Sequence, residues 1–436
     1  MRLIKFFAIL GQIPFISYCF YFLFMQFESL CPNKDFLSWD ADLRYITTLK
    51  MSENIRDFNI LELAVNVLDT PTWPPLRNLI QALVFSISGE SPELDVYITL
   101  VTFILLVFVM FHVLYYSNKD RIFYPLYFFL GWSILLLSPV LLIYSFSAML
   151  EIQGALFFLL TIYYLAQFYE EGETEISASI SWKLSFSIIG LFLTKFPYAY
   201  MMLLCIGILH ALMNPSMSIF FALRYFTYIY AQFLKQYRII LLLILITMYI
   251  ILPSEFLPGK SKNYLKYIIV ILAALDFYIY LFREKIELFK MGFEKLYKLL
   301  TYVFLPVIFI WLSHPDRFSS SNSSLRHIQS QGYKVGEVIE KDLDYYLVFI
   351  KTLIFDSFNH PIIGIILLVL ALVGIIFGAK KIFKNEKPGS HFYYSSISLL
   401  TIFALTFLTP NHQARHIYHL YPSMIIGGSE FFIYVF

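Results

Sequence analysis

The sequence predicts an all-helical, polytopic membrane domain, and three observations lead there. Hydrophobic residues make up 59% of the 436 and charged residues only 14%. Mean hydropathy is +0.70, above what a soluble core of this length requires. Apolar runs of roughly 17 to 25 residues, the length that crosses about 30 Å of hydrocarbon, recur along the chain. They leave no room for a large soluble domain, so 1–436 reads as one membrane domain carrying loops. The net charge of +2 implies no nucleic-acid partner, because in such a chain the position of basic residues matters more than their sum. Cys19, Cys31 and Cys205 lie in different contexts and suggest neither a disulfide framework nor a metal cluster.

Taken in order, the run 3–27 opens beside Arg2 and Lys5 and is too long and too aromatic for a cleaved leader, so it reads as a retained first span. A polar stretch follows to Pro92. Within it "NILELAVNVL" (59–68) and "PPLRNLIQALVFSI" (74–87) repeat apolar residues at helical spacing, as helices lying along a membrane face do. Further spans are expected at 95–116, 123–143, 147–168, 184–213, 239–253, 264–282, 299–313, 361–379, 393–409 and 417–436, about eleven or twelve in all. The run 184–213 is too long for one span and reads as two short helices turning near Phe196-Pro197.

Lys and Arg concentrate in "SNKDR" (117–121), "LKQYR" (234–238), "FREKIELFKMGFEKLYK" (282–298) and "AKKIFKNEK" (379–387), which the positive-inside rule makes cytoplasmic. Loops 28–94, 143–148, 314–360 and 410–416 then share the other side. No internal duplication is visible, which weighs modestly against a transporter. "RFSSSNSS" (317–324) reads as a loop with a glycosylation sequon at Asn322.

The residues suited to chemistry fall on that outer side. "FLSWDADLRYITTLKM" (36–51) sets Asp40 and Asp42 just beyond a span. In a loop, alternate residues present two carboxylates to one metal or substrate; in a helix the pair diverges. The plainer alternative is a solvated pair at a helix start. A carboxylate at a membrane edge loses solvation, which moves its pKa toward values useful for a general base. In "DTPTWPPLRN" (69–78) the prolines fix a rigid helix entry. Trp73 and Arg77 are thereby held near the interface, where Trp suits sugars or lipid headgroups and Arg suits phosphate.

Glu151 in "SAMLEIQGALFFLL" is an acid inside an apolar run, a functional candidate unless packing partners satisfy it. Lys195 in "LTKFPYAY" is its basic counterpart, suited to an anionic headgroup or to snorkelling toward the interface. "TPNHQARHIYHLYPS" (409–423) gathers His412, Arg415, His416 and His419. Its HxxxH spacing lacks the glutamate of a metalloprotease, so a cationic phosphate pocket is the better reading. Outer acids for proton abstraction, outer cations for phosphate and spans for a lipid tail together equip a chain to use a lipid-linked donor.

In their order, "DADLRY", "WPPLRN", the acid of "SAMLE", "LTKFPYAY" and "RHIYHLYP" resemble the GT-C superfamily of multipass glycosyltransferases. The nearest branch is that of the protein O-mannosyltransferases and the lipid A 4-amino-arabinose transferases, and the resemblance covers most of the chain in layout. It implies inverting transfer of a sugar from a polyprenyl phosphate to a glycolipid, saccharide or protein acceptor outside the cytoplasm. It further implies that a first-loop acid, Asp40 or Asp42, deprotonates the acceptor hydroxyl and that Glu151 is a second acid orienting a substrate. Lys195 and Arg415, with His416 and Arg77, would neutralise the donor phosphate, and Trp73 and His419 would contact substrate. Asp-Ala-Asp stands where relatives carry Asp-Glu: alignment on the following "RY" favours Asp42, alignment on the first aspartate favours Asp40. Trp73 stands where relatives carry His or Lys.

A DxD pair can bind Mn²⁺ or Mg²⁺, yet Lys and Arg alone neutralise a monophosphate and no metal is required. The expected location is a bacterial inner membrane with the site facing the periplasm, or the endoplasmic reticulum in a eukaryote. The rival reading is a transporter or flippase of lipid-linked saccharides, which would use the same cationic pockets without a positioned base.

Overall fold

A computed structural model of the protein describes residues 39–68, 74–118, 138–170, 178–213, 294–312, 343–384, 386–409 and 412–435, with isolated helical positions at 17, 21, 24, 25, 245, 246 and 269. The expected first span, the spans at 239–253 and 264–282, most of 123–143, and the loop 313–342 with its sequon otherwise lie outside the described residues.

Every regular element among the described residues is helical. The polar stretch forms α1 (Trp39–Arg56), α2 (Ile60–Leu68) and α3 (Leu76–Ser88). Then come α4 (Pro92–Asn118), the short α5 (Pro139–Ser145), α6 (Glu151–Glu170), α7 (Ala178–Thr194) and α8 (Phe196–Met213). A further helix enters as α9 (Glu294–Leu299), widens through a π turn and continues as α10 (Leu305–Leu312). It packs on α7, with Trp182 edge-on to Tyr302 at 5.4 Å. α11 (Leu343–Lys351) precedes α12 (Pro361–Phe383) and α13 (Ser390–Leu408), and a 3-10 stretch, Ala414–Leu420, leads into α14 (Tyr421–Val435).

Among the described residues four helices, α4, α6, α12 and α13, are long and apolar enough to cross a membrane. Burial separates their roles: 78% of the apolar window of α6 and 72% of that of α13 are buried, against 28% in α12, so the first two are central and α12 is peripheral. The sequence of α12 explains its place. Ile362, Ile365, Ile366, Val369, Leu372 and Ile376 form an exposed stripe suited to hydrocarbon, while Gly364, Ala371, Gly374 and Gly378 line the buried face. Small residues there let neighbouring backbones approach closely.

At Gly364 a methyl would sit 2.4 Å from the Leu353 carbonyl oxygen, a clash with backbone that no rotamer relieves. Gly364→Ala is therefore expected to cost about 1–3 kcal/mol, read as a lowered midpoint of thermal unfolding in detergent. Gly207→Ala, which meets nothing within 4 Å, is expected to cost nothing.

Long-range contacts fix the directions. α6 and α8 run together: the Tyr198 ring lies on Gly154 at one end, and Tyr169 Oη is 2.9 Å from His210 Nδ1 at the other. α7 returns against α6, with Phe157 filling the space beside Gly190. The run 184–213 is thus a two-helix hairpin, and it turns at Lys195. α13 begins beside Tyr169, whose ring stacks on Tyr393 at 5.5 Å, and α14 comes back to place Phe431 beside His391. Lys387 Nζ donates to the Glu170 carbonyl at 2.6 Å. One end of the bundle therefore carries Glu170, His210 and the 380–387 lysines, and the other carries Glu151, Lys195, Arg415 and the helices of the polar stretch.

Candidate functional site

Glu151 opens α6, where free backbone N–H groups and the helix dipole favour an anion. Lys195 closes α7 and starts the corner into α8: its amide donates to the Leu191 carbonyl at 2.9 Å and its own carbonyl accepts from the Tyr198 amide at 3.1 Å. Pro197 falls in the first turn of α8, where a missing N–H is harmless. This corner brings Lys195 Nζ to 2.8 Å from Glu151 Oε1 and 3.0 Å from Tyr198 Oη, 4.5 Å above the Tyr198 ring centroid.

Tyr198 is clamped. Gly154 leaves room for it, since a methyl there would fall 2.8 Å from Cε2. His419 stacks on the ring with centroids 3.6 Å apart, and Phe158 meets His419 edge-on at 4.8 Å. His419 belongs to the 3-10 stretch, which crosses the start of α6. Arg415 on the same stretch lends its carbonyl to Tyr198 Oη at 3.5 Å, donates from Nε to Gln413 Oε1 at 2.7 Å and acts through space on the Glu151 charge. His416 is half-buried beside them. Tyr144 from α5 and Tyr418 close the side, their rings 5.2 Å apart. Glu151 Oε2 and both His419 ring nitrogens are buried without a hydrogen-bond partner among the described residues, an arrangement that costs energy unless a ligand uses them.

The first-loop acids join this end through α1. Helix already runs at Asp40 and Asp42, so their positions diverge by about 200° around the axis. Arg44, Thr48, Met51 and Ser52 form the buried face, while Ile46 and Glu53 are exposed. Asp40 stands one turn before Arg44 in that inner register, and Asp42 one turn before Ile46 in the outer one; the side chains of both lie outside the described residues. Arg44 donates to the Ala148 carbonyl just ahead of Glu151, which docks α1 against the site. Thr48 Oγ1 donates to Gln81 Oε1 at 3.2 Å, and Tyr45 meets Phe85 edge-on at 5.5 Å. Burial, with Glu90 and Asp95 adding to it, raises the Tyr45 phenol above its ordinary pKa.

One expectation does not survive in this geometry. Arg77 does not face the interface: only 2% exposed, its Nη2 lies 2.5 Å from Asp95 Oδ1 and 2.9 Å from Thr99 Oγ1. Burial lowers its pKa, an effect Asp95 opposes. It pins α3 to α4 instead of meeting a phosphate. His412 is likewise committed, with Nδ1 2.9 Å from the Tyr345 carbonyl, Nε2 3.0 Å from the Thr406 carbonyl and its ring stacked on Tyr345 at 3.9 Å, so HxxxH is not a ligand pair. No group of three His, Cys, Asp or Glu side chains among the described residues is placed to hold a metal. Trp73 lies outside the described residues.

Glu151, Lys195, Arg415 and His419 are brought together, and the helix that carries Asp40 is docked beside them by Arg44. Tyr198 and Arg44 were not singled out by sequence. Their signals were present: Tyr198 follows Lys195 by one helical turn, and Arg44 stands in "DADLRY". No family model, curated protein or solved structure matches the chain.

Proposed function

We propose that the protein is a membrane glycosyltransferase of about eleven or twelve spans, moving a sugar from a polyprenyl monophosphate to an acceptor hydroxyl on the non-cytoplasmic face. A bacterial inner membrane with the site toward the periplasm fits the lysines of 380–387, which lie at the opposite end of the bundle. What supports this reading above all is the meeting of Glu151, Lys195, Arg415 and His419 at one end of an apolar bundle, directly beside the helix that carries Asp40. Cations enclosed with a carboxylate suit a phosphate that gains charge as it leaves, and the apolar helices suit its lipid tail.

In the reaction the acceptor oxygen attacks the anomeric carbon while its proton passes to the Asp40 carboxylate. The new C–O bond forms as the bond from the anomeric carbon to the phosphate oxygen breaks. The electron pair leaves with the polyprenyl phosphate, whose charge Lys195 and Arg415 take up. Attack opposite the leaving group inverts the anomeric centre.

The test uses the purified chain in nanodiscs with a panel of polyprenyl monophosphate sugars and a membrane glycolipid extract. The expected result is release of free polyprenyl phosphate matched by sugar gained in the acceptor. Passage of intact lipid-linked sugar across a vesicle, with no bond broken, would establish the flippase reading instead. Mass spectrometry of glycolipids and glycoproteins from a deletion strain identifies the acceptor.

A further inference from the structure

Two anions compete for Lys195 in the proposed reaction, and the structure holds one of them. Lys195 Nζ is 2.8 Å from Glu151 Oε1, with side-chain exposures of 18% and 2%. Attraction in so enclosed a place is strong, and so is the penalty for leaving either charge alone. Yet the pair is lopsided. Glu151 engages Lys195 through one oxygen, while Oε2 is buried with no partner among the described residues. The ammonium has a second support that does not neutralise it: the Tyr198 hydroxyl at 3.0 Å and the face of the same ring. That ring is fixed by Gly154 and by His419, so it is a rigid platform on which the ammonium can turn from one anion to another.

We infer that Glu151–Lys195 is an exchangeable ion pair: a polyprenyl phosphate takes Lys195 from Glu151, and the freed carboxylate then serves the second substrate. The inference rests on the sugar-transfer reading and adds an order of events to it. Until a phosphate arrives, the carboxylate is masked and an acceptor alone finds no organised site. Once Lys195 has turned, Glu151 presents both oxygens to sugar or acceptor hydroxyls. The coupling is reciprocal, so whatever holds Lys195 to Glu151 must weaken phosphate binding by the same factor.

A purely structural salt bridge predicts the reverse. Removing the acid would then leave a stranded cation, a loosened corner and poorer binding. The probe is a short-chain polyprenyl monophosphate without sugar, titrated by calorimetry into the purified full chain in nanodiscs, with the matching polyprenol as control. Glu151→Gln is expected to bind the monophosphate about tenfold tighter while losing transfer, and Lys195→Met about tenfold weaker. The double variant is expected to bind no tighter than Lys195→Met, because the gain needs the lysine.

Unchanged or weaker binding by Glu151→Gln, or an equal gain in the Lys195→Met background, overturns the exchange. A wild-type chain that binds no monophosphate overturns the sugar-transfer reading and the exchange with it. A wild type that binds and turns over, with no gain in Glu151→Gln, overturns the exchange alone. If Glu151→Gln does not accumulate as folded protein, Glu151→Asp draws the carboxylate back by one methylene and is expected to tighten binding about threefold.

Discussion

Asp40→Asn is expected to lower sugar transfer by about 10²–10⁴-fold, the contribution of a positioned general base, while Asp42→Asn keeps most of the activity. The two aspartates differ in register, not in chemistry. Asp40 shares the inner line of α1 with Arg44, Thr48 and Met51, and Arg44 is tied to the carbonyl of Ala148 beside Glu151. Asp42 shares the outer line with Ile46, which is 56% exposed. Both amides keep the shape of the carboxylate, so donor binding and thermal unfolding should match wild type in each variant. Turnover of the polyprenyl monophosphate sugar decides the matter: an inactive Asp42→Asn beside an active Asp40→Asn would show that α1 presents its other face to substrate.

The largest loss of stability is expected from Asp95→Ala. It strands the Arg77 guanidinium in a place where each side chain of the pair is 4% exposed or less, and breaking such a pair costs about 3–5 kcal/mol. Arg77 also donates to Thr99 and to the Asp95 backbone carbonyl, so the damage falls on the joint between α3 and α4. Replacing both partners by apolar residues of similar volume, Arg77→Met with Asp95→Leu, is expected to recover most of the loss, because no charge is left buried. Unfolding midpoints of the two variants in detergent check this. An Asp95→Ala protein as stable as wild type would mean that Arg77 reaches solvent or phosphate after all.

Where hydrophobicity and helix direction decide the structure, the sequence was readable. The stripe of α12, its glycines on the far face, and the break at Lys195-Phe196-Pro197 all follow from local pattern. α1 is the opposite case. Its buried line includes Arg44, Thr48 and Ser52 and its exposed line includes Ile46, so the usual apolar-inside rule points the wrong way and leaves Asp40 and Asp42 equivalent on paper. Arg77 misled for another reason. Two prolines and a nearby membrane suggested an interfacial cation, whereas its counter-ion stands at the start of the following helix and is seen only when α3 folds back on α4. His412 escaped because its partners are backbone carbonyls, which leave no mark in an amino-acid alphabet. Lys195 and Glu151 were each legible as charges in apolar runs; their pairing was not, since it depends on the hairpin bringing residues 44 positions apart into contact.

The contact between Tyr198 and Arg415 joins positions 217 residues apart, and that separation has a meaning during synthesis. A chain is made from its N-terminus, so α6, α7 and α8 exist before the stretch that carries Arg415 and His419. Glu151 and Lys195 both belong to that earlier part. The bond that a phosphate is proposed to break in the finished protein therefore needs nothing from the later stretch for its two partners to be present, whereas the clamp that His419 puts on Tyr198 does.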